Sequence, residues 1–419
     1  MFFADIVRKG IERHMFKKKG YTLANYRFSV IAIVLIMLAT SSLLLQRLQP
    51  NDSNALIKQI LGVLLGIFIM VVVSLIDYHF ICKMFVPLYL FNILLMFICK
   101  YVDYSTTHSP IYGWKHYKAR RWIKIGGRGE PQKGFEFMPS EITKLVLIIV
   151  MAKLFVMLEK RINTVVGLVI ILATIGFPIY LIFDQPDLST SIVLTASFIC
   201  MLFIAGLSIK ILAGGLLVGI PLLSALLWYV MQDYQVLLNP YQQDRILSLF
   251  HPEQYKELMY QQNNAAAAIS SGGMFGKLIV GNTNRRLTDF VPVVESDFIY
   301  TAIAEEFGFV GCVLVVMLFL LLVFISFRIA RRAKDRMGYL LASGIAVSFS
   351  VQTVVNIGVV LSLLPNTGIP LPFLSIGLSS LITNMATVGV LLNVGLQDKD
   401  VVIDDKYEFE KGLLEGDLR

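Results

Sequence analysis

Residues 290–311 read FVPVVESDFIYTAIAEEFGFVG, an apolar run that opens on acids and carries more of them inside. Asp297 stands where the run begins, with Glu295 just ahead of it and Glu305 and Glu306 beyond. A carboxylate at the centre of a membrane helix costs roughly 2.5 to 3.5 kcal/mol on insertion scales, so a sequence that keeps several near one span has a use for them. On one continuous helix Asp297, Thr301 and Glu305 advance four residues at a time and share a stripe, a carboxylate at the mouth and another about two turns deeper. Asp297 then has two readings, a cap for the helix that starts there or a group that reacts. Glu305 and Glu306 are expected in a buried structural network, with Lys144 or Lys153 as partners.

The rest of the chain has the same character. Of 419 residues, 56% are hydrophobic and only 16% charged, and the mean hydropathy is +0.70. A span needs about 20 mostly apolar residues, and about ten segments qualify. They lie near 28–46, 59–76, 80–99, 139–158, 163–183, 190–207, 211–231, 298–325, 338–361 and 374–396. The expected fold is an all-α polytopic membrane protein of about ten transmembrane helices, with a large extracytoplasmic loop between the seventh and eighth. Residues 1–27 form a basic cytoplasmic segment, 28–396 the membrane domain and 397–419 a cytoplasmic tail. Extracytoplasmic loops are expected over about 100–138 and 232–297.

Lys and Arg in short flanks set orientation. They crowd before the first span, from Arg8 to Arg27, and between the eighth and ninth, from Arg328 to Arg336. Both regions are therefore placed in the cytoplasm, as is the C-terminus. Phe2, Phe3, Ile6, Val7 and Ile11 make an apolar stripe that suits a helix on the inner leaflet, and a solvated basic tail fits equally. No cleavable signal peptide is expected. The net charge of +8 is largely orientation, so it does not argue for nucleic acid. Cys82, Cys99, Cys200 and Cys312 read as small membrane-buried hydrophobes, and the scattered histidines give no zinc pattern.

The 100–133 loop breaks the charge rule, carrying Lys115, Lys118, Arg120, Arg121, Lys124, Arg128 and Lys133. Long loops tolerate such charge, and the functional alternative is an anion site for a phosphorylated lipid headgroup, with Arg120 and Arg121 beside an interfacial Trp122. Glu141 and Lys144 sit three apart on the fourth span, as a structural pair or as the polar lining of a cavity. Asp187 reads as the cap of the sixth span or as a site residue. In 232–297, Arg245 follows Asp244, and ISSGGMFGK with Ser271 and Gly272 reads as a flexible re-entrant loop, not a P-loop. Pro365, Pro370 and Pro372 rule out one continuous helix before the last span, and irregular backbone at that depth belongs beside a cavity.

Taken in order, RRWIKIGG, PSEITK, YQQDRILSLFHPE, ISSGGMFGK, ESDFIYTAIAEEFGFVG and NTGIPLPFLSIGLSS resemble the SEDS proteins (shape, elongation, division and sporulation) of bacterial cell-wall synthesis. QPDLSTS, YQQDRI and AEEFG are more similar to the RodA branch than to the FtsW or SpoVE branches. The resemblance implies a ten-span peptidoglycan glycosyltransferase of the bacterial cytoplasmic membrane that polymerises lipid II into glycan strands at the outer face. It also implies a class B penicillin-binding protein as partner. Asp297 matches the family's essential acid, Glu141 and Lys144 its polar pair, and Arg120, Arg121 and Trp122 its R-R-W stretch. The substrate-binding set expected from motif and position adds Asp187, Arg245, Ser271, Gly272, Thr301, Glu305 and Pro370. The chain departs from the pattern at Asn264 and Ala265, at Pro365 to Gly368, at Ser375 to Ser380 and at Glu295.

In transfer from a lipid diphosphate, the acceptor hydroxyl must lose a proton and the departing diphosphate must be stabilised. Asp297 suits the first task as general base. Cations of the outer loop suit the second, or a divalent ion, magnesium or manganese, held partly by Asp297. Two other classes compete, a transporter that flips lipid II and a non-enzymatic scaffold of the wall machinery.

Overall fold

The computed structural model describes residues 26–397 apart from 51, 104–108, 117–118, 128–133, 233, 239, 282–285 and 367. The expected inner-leaflet helix, the C-terminal tail from 398, and Lys118, Arg128, Lys133 and Thr367 lie outside the described residues. The chain is mainly helical, and a helix overlaps each of the expected apolar segments. These are α1 (Phe28–Leu48), α2 (Ser53–Leu75), α3 (Tyr78–Lys83) with α4 (Phe85–Tyr101), α5 (Pro139–Met157), α6 (Val165–Asp184), α7 (Leu188–Ile204) and α8 (Ile209–Val230). Farther along the chain follow α12 (Ile299–Arg332), α13 (Arg336–Val360) and α14 (Leu378–Leu396). Among the described residues, seven helices are long and apolar enough to cross a membrane, and α4 and α7 are apolar but shorter.

The helices start where local chemistry directs. Asp52, Thr164 and Asp335 accept backbone N–H groups at the starts of α2, α6 and α13, and Pro139 opens α5, where its missing N–H costs nothing. α13 and α14 are the most enclosed, and α2 lies along α14 with Gly62 and Gly66 under Leu378 and Met385. The outer helices turn leucines and phenylalanines away from the protein, such as Leu61, Phe68 and Leu222. Lipid tails are as apolar as those side chains, so this exposure costs nothing in a bilayer. Cys82, Cys99 and Cys312 are buried as expected, whereas Cys200 faces outward from α7.

Two expectations about the outer segments change. The basic loop after α4 folds into an antiparallel sheet in the order β1 (Ile111–His116), β2 (Ala119–Ile125), β3 (Phe135–Phe137), with Trp114 opposite Trp122 and Ile123 opposite Phe137. Lys124 is fully buried in it, 3.0 Å from Glu136 and over the Trp114 ring. The ISSGGMFGK stretch, read as a flexible re-entrant loop, is largely helical, because α10 (Lys256–Gly272) and α11 (Gly276–Val280) run through it after α9 (Pro240–Phe250). Gln262 holds α10 to the irregular segment after α13 by donating to the carbonyls of Val359 and Leu364.

The run that opened the sequence reading is not one straight helix. At Gly308, φ is 66° and ψ is −164°, a conformation that only glycine adopts cheaply. The break is seated against the α10–α11 turn, where a Cβ on Gly308 would come within 2.3 Å of Gly276 N. Phe309 and Val310 donate instead to the carbonyls of Gly273 and Met274. The 34 residues of α12 would run about 51 Å if straight, well beyond a hydrocarbon core of about 30 Å. The break makes Ile299 to Phe307 a separate short piece ahead of the longer one. Glu305 and Glu306 therefore sit on the short piece, ahead of the break.

On the opposite side, His79 ties three connections together. Its Nδ1 is 2.8 Å from Asp77 Oδ1 and its Nε2 2.7 Å from Asp335 Oδ2. Asp335 also accepts from Tyr78 Oη, and Asp77 from Gln397 Nε2 at the end of α14. Hydrogen bonds to Asp335 and Asp77 raise the imidazole to about 9. A raised histidine stabilises the fold fully below its unfolded value near 6.5 and loses that contribution as pH climbs through its folded value. Thermal stability of the solubilised protein is thus expected to fall between about pH 7 and 9. In His79→Leu that part of the pH dependence disappears.

Candidate active site

Asp297 is carried by the turn that precedes α12. The helix is capped at Phe298 with no side-chain bond, so Asp297 is not the cap. Its carboxyl is partly buried and accepts from Ser296 Oγ at 3.0 Å. The turn is fixed from two sides. Asn356 on α13 donates to the Asp297 carbonyl at 2.9 Å and to the Ile369 carbonyl at 2.6 Å, while the Ser375 hydroxyl donates to the Ser296 carbonyl. The proline-rich segment thereby walls the acid. Gly368 faces it at φ +71°, and a Cβ there would stand 3.0 Å from Asp297 Oδ2, so glycine is required for both backbone and space.

Two arginines from distant elements act on that carboxylate. Burial pushes Asp297 above the ordinary carboxylate range, and the Ser296 hydroxyl, Arg121 and Arg245 oppose the rise. Arg121 comes from β2 and Arg245 from α9. Trp122 pairs with Trp114 and Arg120 with Lys115, so the register shifts and Arg121 is the extra residue of a bulge, a device that re-aims a side chain. Arg120 pairs with Asp103 and reaches the Lys100 carbonyl at the end of α4. Arg121 reaches different partners: it donates to the Pro186 carbonyl and keeps a buried Nε without a hydrogen-bond partner among the described residues. Trp122 is half-exposed on the sheet.

Asp187 is also near enough to raise Asp297, but its oxygens are occupied. It caps α7, accepting from Thr190 N at 3.3 Å and Thr190 Oγ1 at 3.0 Å, and takes a further bond from Ser140 Oγ at 3.1 Å. Glu141 and Lys144 form a buried pair at 2.9 Å. Lys144 donates to Gln352 Oε1 at 2.9 Å, and Gln352 donates to the Pro370 carbonyl at 2.7 Å. The pair thus braces the wall around Asp297 through Pro370. Gln352 and Asn356 were not singled out in the sequence, though two amides four apart in an apolar helix are a readable sign.

Three expected residues belong to a second constellation. Glu305 accepts from Leu287 N at 2.7 Å, Thr288 N at 2.8 Å and Ser271 Oγ at 3.2 Å, and pairs with Lys277. Its partners are therefore Lys277 and the loop backbone, not Lys144 or Lys153. Glu306 pairs with Arg286 at 2.7 Å. Gly272 lets α10 touch α12, since a Cβ would come within 1.9 Å of the Ala304 carbonyl. Thr301 is fully buried, and its hydroxyl has no hydrogen-bond partner among the described residues.

A family model described as cell cycle protein FtsW/RodA/SpoVE matches residues 22–400. The chain belongs to the FtsW/RodA/SpoVE family. Among its relatives is a probable peptidoglycan glycosyltransferase FtsW of Trichlorobacter lovleyi, 31% identical over 90% of this chain and 95% of that protein. The peptidoglycan glycosyltransferase MrdB of Escherichia coli is 31% identical over the same shares. Stage V sporulation protein E of Bacillus subtilis is 35% identical over 72% of this chain and 78% of its own length.

Solved structures agree with the FtsW/RodA/SpoVE assignment. A peptidoglycan synthase complex that coordinates polymerization and crosslinking aligns with a TM-score of 0.72 at 27% identity, over 89% of this chain and 98% of that one. The rod shape determining protein RodA of Thermus thermophilus aligns at 0.62 and 25% identity, over 88% and 96%. The chain is a multi-pass membrane protein of this family.

As to a metal, no group of three His, Cys, Asp or Glu side chains gathers among the described residues. Asp187 is spent on its cap, and the charge of Asp297 is already offset by Arg121 and Arg245. Magnesium is commonly held by one or two carboxylates plus substrate phosphates, so this donor set is thin for a resident ion. The arginines already answer the need for positive charge.

Proposed function

We propose that the chain is a peptidoglycan glycosyltransferase that polymerises lipid II at the outer face of the bacterial cytoplasmic membrane. Both termini lie in the cytoplasm, about ten helices span the bilayer, and a class B penicillin-binding protein that crosslinks the glycan is the partner. The observation that carries this reading is a half-buried carboxylate, Asp297, under the electrostatic influence of Arg121 from β2 and Arg245 from α9.

Asp297 takes the proton from the acceptor sugar hydroxyl as the new glycosidic bond forms. A carboxylate with a raised pKa is a better match to this task near neutral pH than an ordinary one. Arg121 and Arg245 meet the diphosphate as its bond to the anomeric carbon breaks, and Arg is the residue whose planar fork fits phosphate oxygens. The diphosphate is already an activated leaving group, so no covalent enzyme intermediate is needed. Lys144, Gln352 and Asn356 act as positioning residues, because they hold the wall and the turn that aim Asp297.

The test is glycan-strand formation from purified lipid II by the solubilised protein with its penicillin-binding partner, the partner's transpeptidase serine having been removed. Polymer is the expected product. If no polymer forms and the same preparation moves lipid II across proteoliposomes, the chain is a transporter instead.

A further inference from the structure

Away from Asp297, a cavity of about 430 Å³ opens between the end of α1, α11 and the first piece of α12. Its walls include Leu43, Leu278 and Phe307 on one part, and Arg47, Arg286 and Glu306 on the other. The polar part is built. Glu306 is 2% exposed, and its Oε1 is engaged by Arg286 Nε at 2.7 Å. Arg286 in turn donates to the Arg47 carbonyl, which ties α1 to this corner. Glu306 Oε2 is buried and has no hydrogen-bond partner among the described residues. A buried carboxylate oxygen left without a donor is costly, and Glu306 is one of the residues that line the cavity.

The three charges sum to plus one, since Arg286 and Glu306 neutralise each other and Arg47 remains. Leu43 on α1 is 57% exposed and lines the cavity, which puts an apolar side chain at its edge. A ligand that fits must bring one negative charge for Arg47, a hydroxyl donor for Glu306 Oε2 and an alkyl portion for Leu43 and Leu278. We propose that this cavity binds the headgroup of an anionic phospholipid whose headgroup carries hydroxyls, the chemistry of phosphatidylglycerol. The phosphate lies against Arg47, the glycerol hydroxyl donates to Glu306, and the acyl chains run down α1. A zwitterionic ethanolamine headgroup would bring an ammonium beside Arg286 and leave Arg47 without net compensation. The site is separate from Asp297 and does not depend on the catalytic reading.

The experiment is native mass spectrometry of the full chain in detergent, titrated with phosphatidylglycerol, phosphatidylethanolamine or phosphatidylcholine. Phosphatidylglycerol is expected to bind most tightly. Arg47→Ala is expected to weaken that binding about tenfold, the loss of one charge-assisted contact, and Glu306→Leu to remove the preference over phosphatidylcholine. Leu43→Trp, which narrows the mouth on an exposed position, is expected to lower binding of all three lipids at unchanged melting temperature. Equal affinity for the three lipids in the wild type, or undiminished phosphatidylglycerol binding in both Arg47→Ala and Leu43→Trp, overturns the proposal.

Discussion

Replacing Asp297 by asparagine is expected to lower the rate of glycan polymerisation about 10²- to 10⁴-fold, the usual contribution of a positioned general base. The substitution keeps shape and volume, so the turn that precedes α12 has no reason to move. Its anchors are backbone carbonyls of Ser296 and Asp297, bonded by Ser375 and Asn356, and these do not depend on the carboxylate. Because burial raises the carboxyl above its usual range, the ionised form is disfavoured in the folded protein. The neutral amide is therefore expected to fold at least as stably, with a melting temperature equal to or above wild type. A fall in rate accompanied by a fall in stability would instead mark Asp297 as a structural residue.

The second large effect separates two adjacent arginines. Arg121→Ala is expected to cost about 10²- to 10³-fold in rate, the scale seen when one donor that stabilises developing negative charge is removed. Arg120→Ala is expected to leave the rate within a few-fold of wild type, because Arg120 points to Asp103 and the Lys100 carbonyl. That ion pair is partly exposed and its loss is worth about 0–1 kcal/mol. Arg121→Lys is expected to recover only part of the activity, since an ammonium cannot offer the fork that spans two phosphate oxygens. Polymerisation rates of the three variants, each measured at matched folded concentration, check the assignment. Equal losses at the two positions would mean that their different partners do not sort them.

These contrasts show which parts of the molecule are legible in the sequence. The helices are, because twenty-residue apolar runs leave little choice of structure, and every expected segment falls on a helix. The proline-rich wall near Asp297 is legible for a similar reason, since Pro365, Pro370 and Pro372 forbid helix and the backbone must be satisfied beside a cavity. The sheet is not, because ARRWIKI carries charge on both faces and hides its period of two behind an apparent basic loop. Without the strand, Arg120 and Arg121 cannot be told apart. The break at Gly308 is hidden as well, because one glycine in an apolar run is ordinarily tolerated, and only the close approach of Gly276 shows why the helix bends there. Asp297 lies in the turn ahead of α12 and not on the helix, so Glu305 does not share its stripe and joins a network with Lys277 and the 287–288 backbone. Arg245 reaches Asp297 from α9 across some fifty residues of chain, a proximity that spacing cannot encode.

The account stands on Asp297 acting as a base under the influence of Arg121, and the pH dependence of polymerisation tests this most directly. The carboxyl must be ionised to accept a proton, so activity falls as pH drops through its folded pKa. Burial places that acidic limb above the ordinary carboxylate range, and Arg121 restrains it. The expected result is a limb in wild type that shifts to still higher pH in Arg121→Gln, where the restraining cation is gone. A limb that does not move in Arg121→Gln, or a wild-type rate that stays flat from neutral into acid, would contradict it.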